Sequence, residues 1–166
     1  MTGPTDRNLF NLAKRVGRVL LANQATVTTA ESCTGGWISK VLTDVPGSSA
    51  WFRTGYVTYS NEAKTRLLGV SERLLRRDGA VSEAVVGRMA KGALRVARAD
   101  VAVAVSGVAG PDGGSAEKPV GTVWIGIARR TGRAVSVATF RCRFAGDREA
   151  VRRRTVARAL KAVLTQ

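Results

Sequence analysis

Of 166 residues, 27 are Lys or Arg and 12 are Asp or Glu, a net charge of +15, and not one is histidine. The missing imidazole excludes every Ser-His-Asp and Cys-His mechanism, and it leaves only carboxylates and two distant cysteines to hold a metal. The charge calls for anionic ligands, while a hydrophobic fraction of 45% without an apolar run near ~18 residues fits one soluble globular domain over 1–166 rather than a membrane protein.

Leu9, Leu12, Val16, Val19 and Leu20 recur at helical spacing and predict an amphipathic helix over 6–22. Residues 1–10 lack the apolar stretch of a secretion signal, and two cysteines make no disulfide framework, so a reduced, cytoplasmic chain is expected. Residues 25–30 are short and rich in β-branched side chains, which predicts a strand running into Glu31-Ser32-Cys33-Thr34-Gly35-Gly36 and a helix over 37–42. After a turn at 46–49, segments 51–53 and 56–60 read as two paired strands. Asn61 is placed to cap a short helix that runs to Leu68 and stops at Gly69. Ser71 and Ser82 read as further caps, the second for a long helix from Glu83 to about Arg98. Residues 101–106 alternate small and β-branched side chains, as a central strand buried on both faces does, and end in the glycine-dense segment 107–114. Segments 120–128 and 134–144 form a hairpin about Thr131-Gly132. Asp147 caps the last helix, whose core face holds Val151, Val156, Leu160 and Val163. The whole reads as α/β: a single three-layer domain, a mixed β-sheet with helices on both faces.

Four segments carry candidate chemistry. Ser32 lies where a strand meets a helix, at the carboxyl edge of the sheet, where open α/β sheets bind ligands. Amides near Gly35 and Gly36 are placed to hold an oxyanion. The plainer alternative is that Ser32 or Thr34 caps the helix and the glycines permit close packing. Cys33 ranks below Ser32 as a nucleophile, because no histidine is present to activate it. Lys64, one turn into its helix, is the best remaining base if burial lowers its pKa, with Tyr59 to orient the pair; the alternative is a solvated surface lysine. The 107–114 loop matches neither a P-loop nor a dinucleotide fingerprint, and it reads either as an amide cradle for phosphate or as a tight turn. Segment 117–122 closes this loop toward the same site. Arg148 begins the last helix, the wrong end for a cation by dipole alone, which favours a specific grip on phosphate. Arg152, Arg153 and Arg154 read mainly as a solvated face.

Taken in this order, the segments resemble the CinA C-terminal-domain family, and within it the stand-alone nicotinamide-nucleotide amidohydrolases. The likeness rests on Thr28-Thr29-Ala30-Glu31-Ser32-Cys33-Thr34-Gly35-Gly36, Val57-Thr58-Tyr59-Ser60-Asn61-Glu62-Ala63-Lys64, Gly79-Ala80-Val81-Ser82-Glu83, the 106–114 and 117–122 segments, and Gly146-Asp147-Arg148. It covers nearly the whole chain. The resemblance implies deamidation of nicotinamide mononucleotide to nicotinate mononucleotide and ammonia, by a Ser-Lys mechanism without metal or bound cofactor. It implies Ser32 as nucleophile, Lys64 as base, Tyr59 as a supporting hydrogen-bond partner, and Arg148 on the substrate phosphate. The substrate-binding set expected on this reading is Thr34, Gly35, Gly36, Ser49, Gly107, Gly110, Gly113, Gly114 and Arg148.

Rival readings are a pyridine-nucleotide-binding module without catalysis, an amidase for another small amide, and a basic nucleic-acid-binding protein. Against the last, only 5% of residues are aromatic and the arginines are dispersed, so nucleic-acid binding is expected to be weak and non-specific. A homo-oligomer, a dimer, is expected. Trp51, Phe52 and Tyr56 serve either a subunit contact or the core.

Overall fold

The computed structural model describes residues 3–165. In chain order the elements are α1 (Asp6–Ala22), β1 (Val27–Glu31), α2 (Trp37–Thr43), a 3-10 turn (Ser48–Ala50), β2 (Phe52–Val57), α3 (Asn61–Leu68), α4 (Glu72–Asp78), α5 (Glu83–Ala97), β3 (Val101–Gly107), β4 (Thr122–Thr131), β5 (Ala134–Arg143) and α6 (Arg148–Leu164). The strands form a five-stranded sheet in the order β2-β1-β3-β4-β5. Strands β2, β1 and β3 run parallel, β4 runs antiparallel to β3, and β5 antiparallel to β4.

Strand β3 explains the two layers of helix. Its odd positions, Val101, Val103 and Val105, face one core with α1, α2 and α6, while Ala102 and Ala104 face a second core with α5. Large side chains fill one side, and small ones let α5 approach the other closely. That approach reaches contact distance at Gly126 of β4, where an added Cβ would sit 2.7 Å from the Val86 carbonyl oxygen. Gly92 of α5 is tighter still, with an added Cβ 2.0 Å from the Leu68 carbonyl oxygen at the end of α3. Gly92→Ala is therefore expected to destabilise the fold by about 1–3 kcal/mol, although alanine favours a helix by ~1 kcal/mol over glycine. A lowered urea midpoint checks this; an unchanged one would mean that α3 gives way.

The class expected from sequence stands: a mixed sheet between two layers of helix. The 6–22 helix, the caps at Ser71, Ser82 and Asp147, and the buried face of α6 also stand. Three expectations need correction. Segments 51–53 and 56–60 are not paired strands but parts of one region, with β2 running straight through Thr54 and Gly55. A Cβ at Gly55 would lie 2.6 Å from both Thr29 Oγ1 and Ser39 Oγ, so glycine lets β2 pack against β1 and α2. Ser60, not Asn61, caps α3, its Oγ accepting from the Ala63 amide at 3.0 Å. Val19 of α1 faces solvent, leaving Leu9, Leu12, Val16 and Leu20 to the core. Of the aromatic trio considered for a subunit contact, Trp51 is core, laid flat on α1 where a Cβ at Gly17 would meet its ring at 2.8 Å. Phe52 and Tyr56 are half-buried and pack against the two cores.

Candidate active site

Three parallel strands deliver their carboxyl ends to one edge of the sheet: Ser32 follows β1, Thr58 and Tyr59 follow β2, and Ser106 and Gly107 close β3. Because β1 leads to β2 on one side while β3 lies on the other, a crevice opens between the ends of β1 and β3, as expected at a change of strand order. A cavity of about 210 Å³ fills it, lined by Ser32, Cys33, Tyr59, Asn61, Lys64, Ala80, Val81, Ser106, Gly107, Ala109 and Arg148. No carboxylate is among them, so the lining suits an anion.

At its floor Lys64 Nζ lies 3.1 Å from Ser32 Oγ. It also donates to the carbonyl oxygens of Thr58 at 2.8 Å and Tyr59 at 3.4 Å. Lys64 is 1% exposed, which overturns the surface-lysine alternative. Burial disfavours the ammonium and pushes its pKa below the ordinary lysine value. A neutral amine has two N–H bonds and one lone pair. With the N–H bonds on the two carbonyls, the lone pair is left for the Ser32 hydroxyl, the arrangement of a general base and its nucleophile. Cys33 lacks this support: burial first of all pushes its thiol up to about 12.

The Ser32 turn owes its shape to Glu31, a completely buried carboxylate whose importance the sequence reading missed. Its oxygens accept from Thr34 Oγ1 (2.6 Å), Gly36 N (3.1 Å), Ile38 N (2.9 Å), Ser39 N (2.8 Å) and Ser39 Oγ (2.7 Å). It thus satisfies the amides that open α2, which a helix otherwise leaves without partners, and its charge sits at the favourable end of the dipole. An acidic residue directly before a glycine-rich helix start was the available signal.

Other expected site residues fall in several places. Arg148 and Gly107 line the cavity. Arg148 donates to the Gly110 carbonyl at 2.7 Å and to the Tyr59 hydroxyl at 3.1 Å, which holds its guanidinium across the mouth with no acidic partner among the described residues. Tyr59 accordingly meets Lys64 through its main chain and Arg148 through its phenol. Gly110 presents a carbonyl to Arg148 rather than an amide to a ligand. Gly113 and Gly114 are exposed and outside the lining, so the 107–114 loop does not wrap its amides around this cavity. Lys118 of the closing segment instead ties the loop to α4 by donating to the Asp78 carbonyl at 2.8 Å. Thr34 is buried, with its hydroxyl on Glu31. The Gly35 and Gly36 amides are also occupied, by Ser32 O at 3.0 Å and by Glu31, and are not free for an oxyanion. Ser49 is displaced altogether. It precedes β2, whose start pairs with Val27 and whose end pairs with Glu31, placing it roughly 15 Å or more away along the strands.

The three arginines expected to be solvated are each engaged. Arg152 grips the Cys33 and Thr34 carbonyls, Arg153 pairs with Asp6 and Glu149, and Arg154 donates to the Ala145 carbonyl. Among the described residues, no three of His, Cys, Asp and Glu gather as a metal would need, and no helix is long and apolar enough to cross a membrane.

Comparison with known proteins shows the family of the chain. The nicotinamide-nucleotide amidohydrolase PncC of Escherichia coli K12 is 59% identical over 162 residues, spanning 98% of this chain and 96% of that protein. The protein of the same name from Pseudomonas putida is 58% identical over 156 residues, or 94% of this chain and 95% of the relative. The solved structure of the competence/damage inducible protein CihA from Agrobacterium tumefaciens superposes with a TM-score of 0.91 at 43% identity, covering 99% of this chain and 97% of that one. A CinA superfamily protein from Klebsiella pneumoniae 700603 gives 0.88 at 44% identity, covering 94% and 95%. With the CinA C-terminal domain model matching residues 9–166, the chain belongs to that family.

Proposed function

We propose that this chain is an amidase that converts nicotinamide mononucleotide to nicotinate mononucleotide and ammonia, with Ser32 as nucleophile and Lys64 as its base. The observation that carries the reading is the buried Lys64 amine, 3.1 Å from Ser32 Oγ and, among the described residues, without an ion pair to a carboxylate. The substrate comes from the relatives, two of them named nicotinamide-nucleotide amidohydrolase at 58–59% identity over nearly the whole chain. In the first half-reaction Lys64 takes the Ser32 proton as Oγ attacks the carboxamide carbon. Lys64 then returns the proton to the departing nitrogen, which leaves as ammonia. Water, deprotonated by the same amine, cleaves the acyl-serine. The ribose phosphate stays attached throughout, so the product remains a nucleotide fit for reuse in pyridine nucleotide salvage. Neither half-reaction calls on a metal or an organic cofactor.

Arg148 is assigned to the phosphate, since it spans the cavity mouth and no acid among the described residues pairs with it. The test is ammonia release from nicotinamide mononucleotide beside the riboside, which lacks the phosphate. A hydrogen bond to a charged group contributes about 1.5–3 kcal/mol, so Arg148→Met is expected to raise KM for the mononucleotide roughly 10- to 100-fold. KM for the riboside is expected to stay nearly unchanged. A parent protein that releases no ammonia from the mononucleotide would overturn the substrate, and equal effects on both compounds would overturn the role of Arg148.

A further inference from the structure

The turn after Ser32 is held from two sides. Glu31 holds it from within. From outside, Arg152 in α6 donates Nε–H to the Cys33 carbonyl at 3.1 Å and Nη2–H to the Thr34 carbonyl at 2.9 Å. Its guanidinium lies 5.4 Å from the centre of the Trp37 ring, and no carboxylate pairs with it among the described residues.

A peptide unit is planar, so fixing its carbonyl fixes the N–H across the same bond in the opposite direction. The Cys33 carbonyl thereby sets the Thr34 amide, and the Thr34 carbonyl sets the Gly35 amide. The Gly35 amide donates to the Ser32 carbonyl at 3.0 Å, which in turn sets the Cys33 amide. Orientation passes through three consecutive peptide units, and it starts at Arg152. The other donors of the turn are committed: the Ser32 amide to Val105 O at 3.0 Å, and those of Gly35 and Gly36 as described above. Among the described residues, the amides of Cys33 and Thr34 have no acceptor on another residue; Thr34 is fully buried and outside the lining, while Cys33 lines the cavity beside Ser32.

We propose that Arg152 is the positioning residue of the oxyanion hole: by fixing the Thr34 carbonyl, and through it the Gly35 amide and the Ser32 carbonyl, it holds the Cys33 amide to receive the charge that forms as Ser32 attacks. The inference rests on Ser32 being the nucleophile. Arg152 touches neither substrate nor reacting atoms in this role. Its cation also polarises the Thr34–Gly35 peptide unit, which strengthens the bond from the Gly35 amide to the Ser32 carbonyl.

The test uses the full chain with Arg152→Met and Arg152→Lys. It measures ammonia release from nicotinamide mononucleotide, affinity for nicotinate mononucleotide, and affinity for a mononucleotide bearing a boronic acid in place of the carboxamide. The boronate becomes tetrahedral on Ser32 and places a hydroxyl where the oxyanion forms. Losing one oxyanion-hole donor costs about 10²–10³ in kcat, so Arg152→Met is expected to lower kcat by up to that factor. Boronate affinity should fall in parallel, while KM and nicotinate mononucleotide affinity stay within about threefold. Arg152→Lys, able to hold one carbonyl, is expected to fall between, and it decides the matter if the methionine variant does not fold. A variant that keeps the parent kcat overturns the proposal, as does one that loses product affinity as steeply as boronate affinity. A parent without ammonia release is a different failure: it overturns the amidase reading itself, and the positioning role with it.

Discussion

Ser32→Ala is expected to stay folded and to lose at least about 10⁴-fold in ammonia release from nicotinamide mononucleotide. Removing the nucleophile of a serine hydrolase costs on the order of 10⁶ in kcat when the rest of the machinery can do nothing without it. Here nothing nearby is equipped to replace it. The adjacent thiol, Cys33, is pushed to about 12, far from a thiolate at neutral pH. Stability should hardly change, within ~1 kcal/mol, because the Oγ contributes a single hydrogen bond, to Lys64, on a half-buried residue. The turn keeps its shape through Glu31, Arg152 and the main-chain bond from Ser32 N to Val105 O, none of which involves the hydroxyl. The measurement pairs released ammonia with a thermal midpoint. A folded variant within tenfold of the parent rate would remove Ser32 from the chemistry.

Much of this arrangement could be read in the chain because it is local. Helix caps act over three residues, as Asp147 does on the Ala150 amide, and the apolar stripe of α1 repeats within single turns. The Val/Ala alternation of β3 announced a strand buried on both faces. What escaped depends on contacts between distant segments. Arg152 meets the Cys33 carbonyl across 119 residues of chain, and nothing near an arginine run distinguishes a grip on main chain from a solvated face. The break read between residues 53 and 56 falls at Thr54 and Gly55, and it failed for a related reason. Glycine marks a turn or a close approach with equal readiness, and only the positions of Thr29 and Ser39 decide which. The glycine-dense loop was over-read in the same way: Gly110 serves through its carbonyl, and Gly113 and Gly114 face solvent. Ser49 was misplaced along the strands, which a sequence orders only once the pairing of β2 with β1 is known.

Lys64→Met is expected to abolish turnover, by at least about 10³-fold, without a matching loss of stability. The methionine side chain occupies much the same space but offers no lone pair, so the Ser32 hydroxyl loses its proton acceptor. Two opposing effects set stability. The variant strips the Thr58 and Tyr59 carbonyls of their donor, about 1–3 kcal/mol for a buried group, although water can reach exposed Tyr59. Against that, it removes a buried amine with no ion-pair partner among the described residues, whose ammonium form is costly to desolvate. The balance depends on pH with a definite sign. Burial places the folded pKa of Lys64 below the ordinary 10.5. Between that lowered value and 10.5 the unfolded chain binds more protons than the folded one, so parent stability rises with pH through this window. Below the folded pKa the full penalty of a buried ammonium is present. The thermal midpoint of Lys64→Met minus that of the parent should therefore be most favourable at low pH and decline as pH rises through the window. The kcat/KM of the parent should climb with pH and level off above the same lowered pKa, as the amine becomes available. A midpoint difference that stays flat across the window would show that Lys64 titrates like a solvent-exposed lysine. A variant that still turns over substrate would show that Ser32 draws its activation from elsewhere.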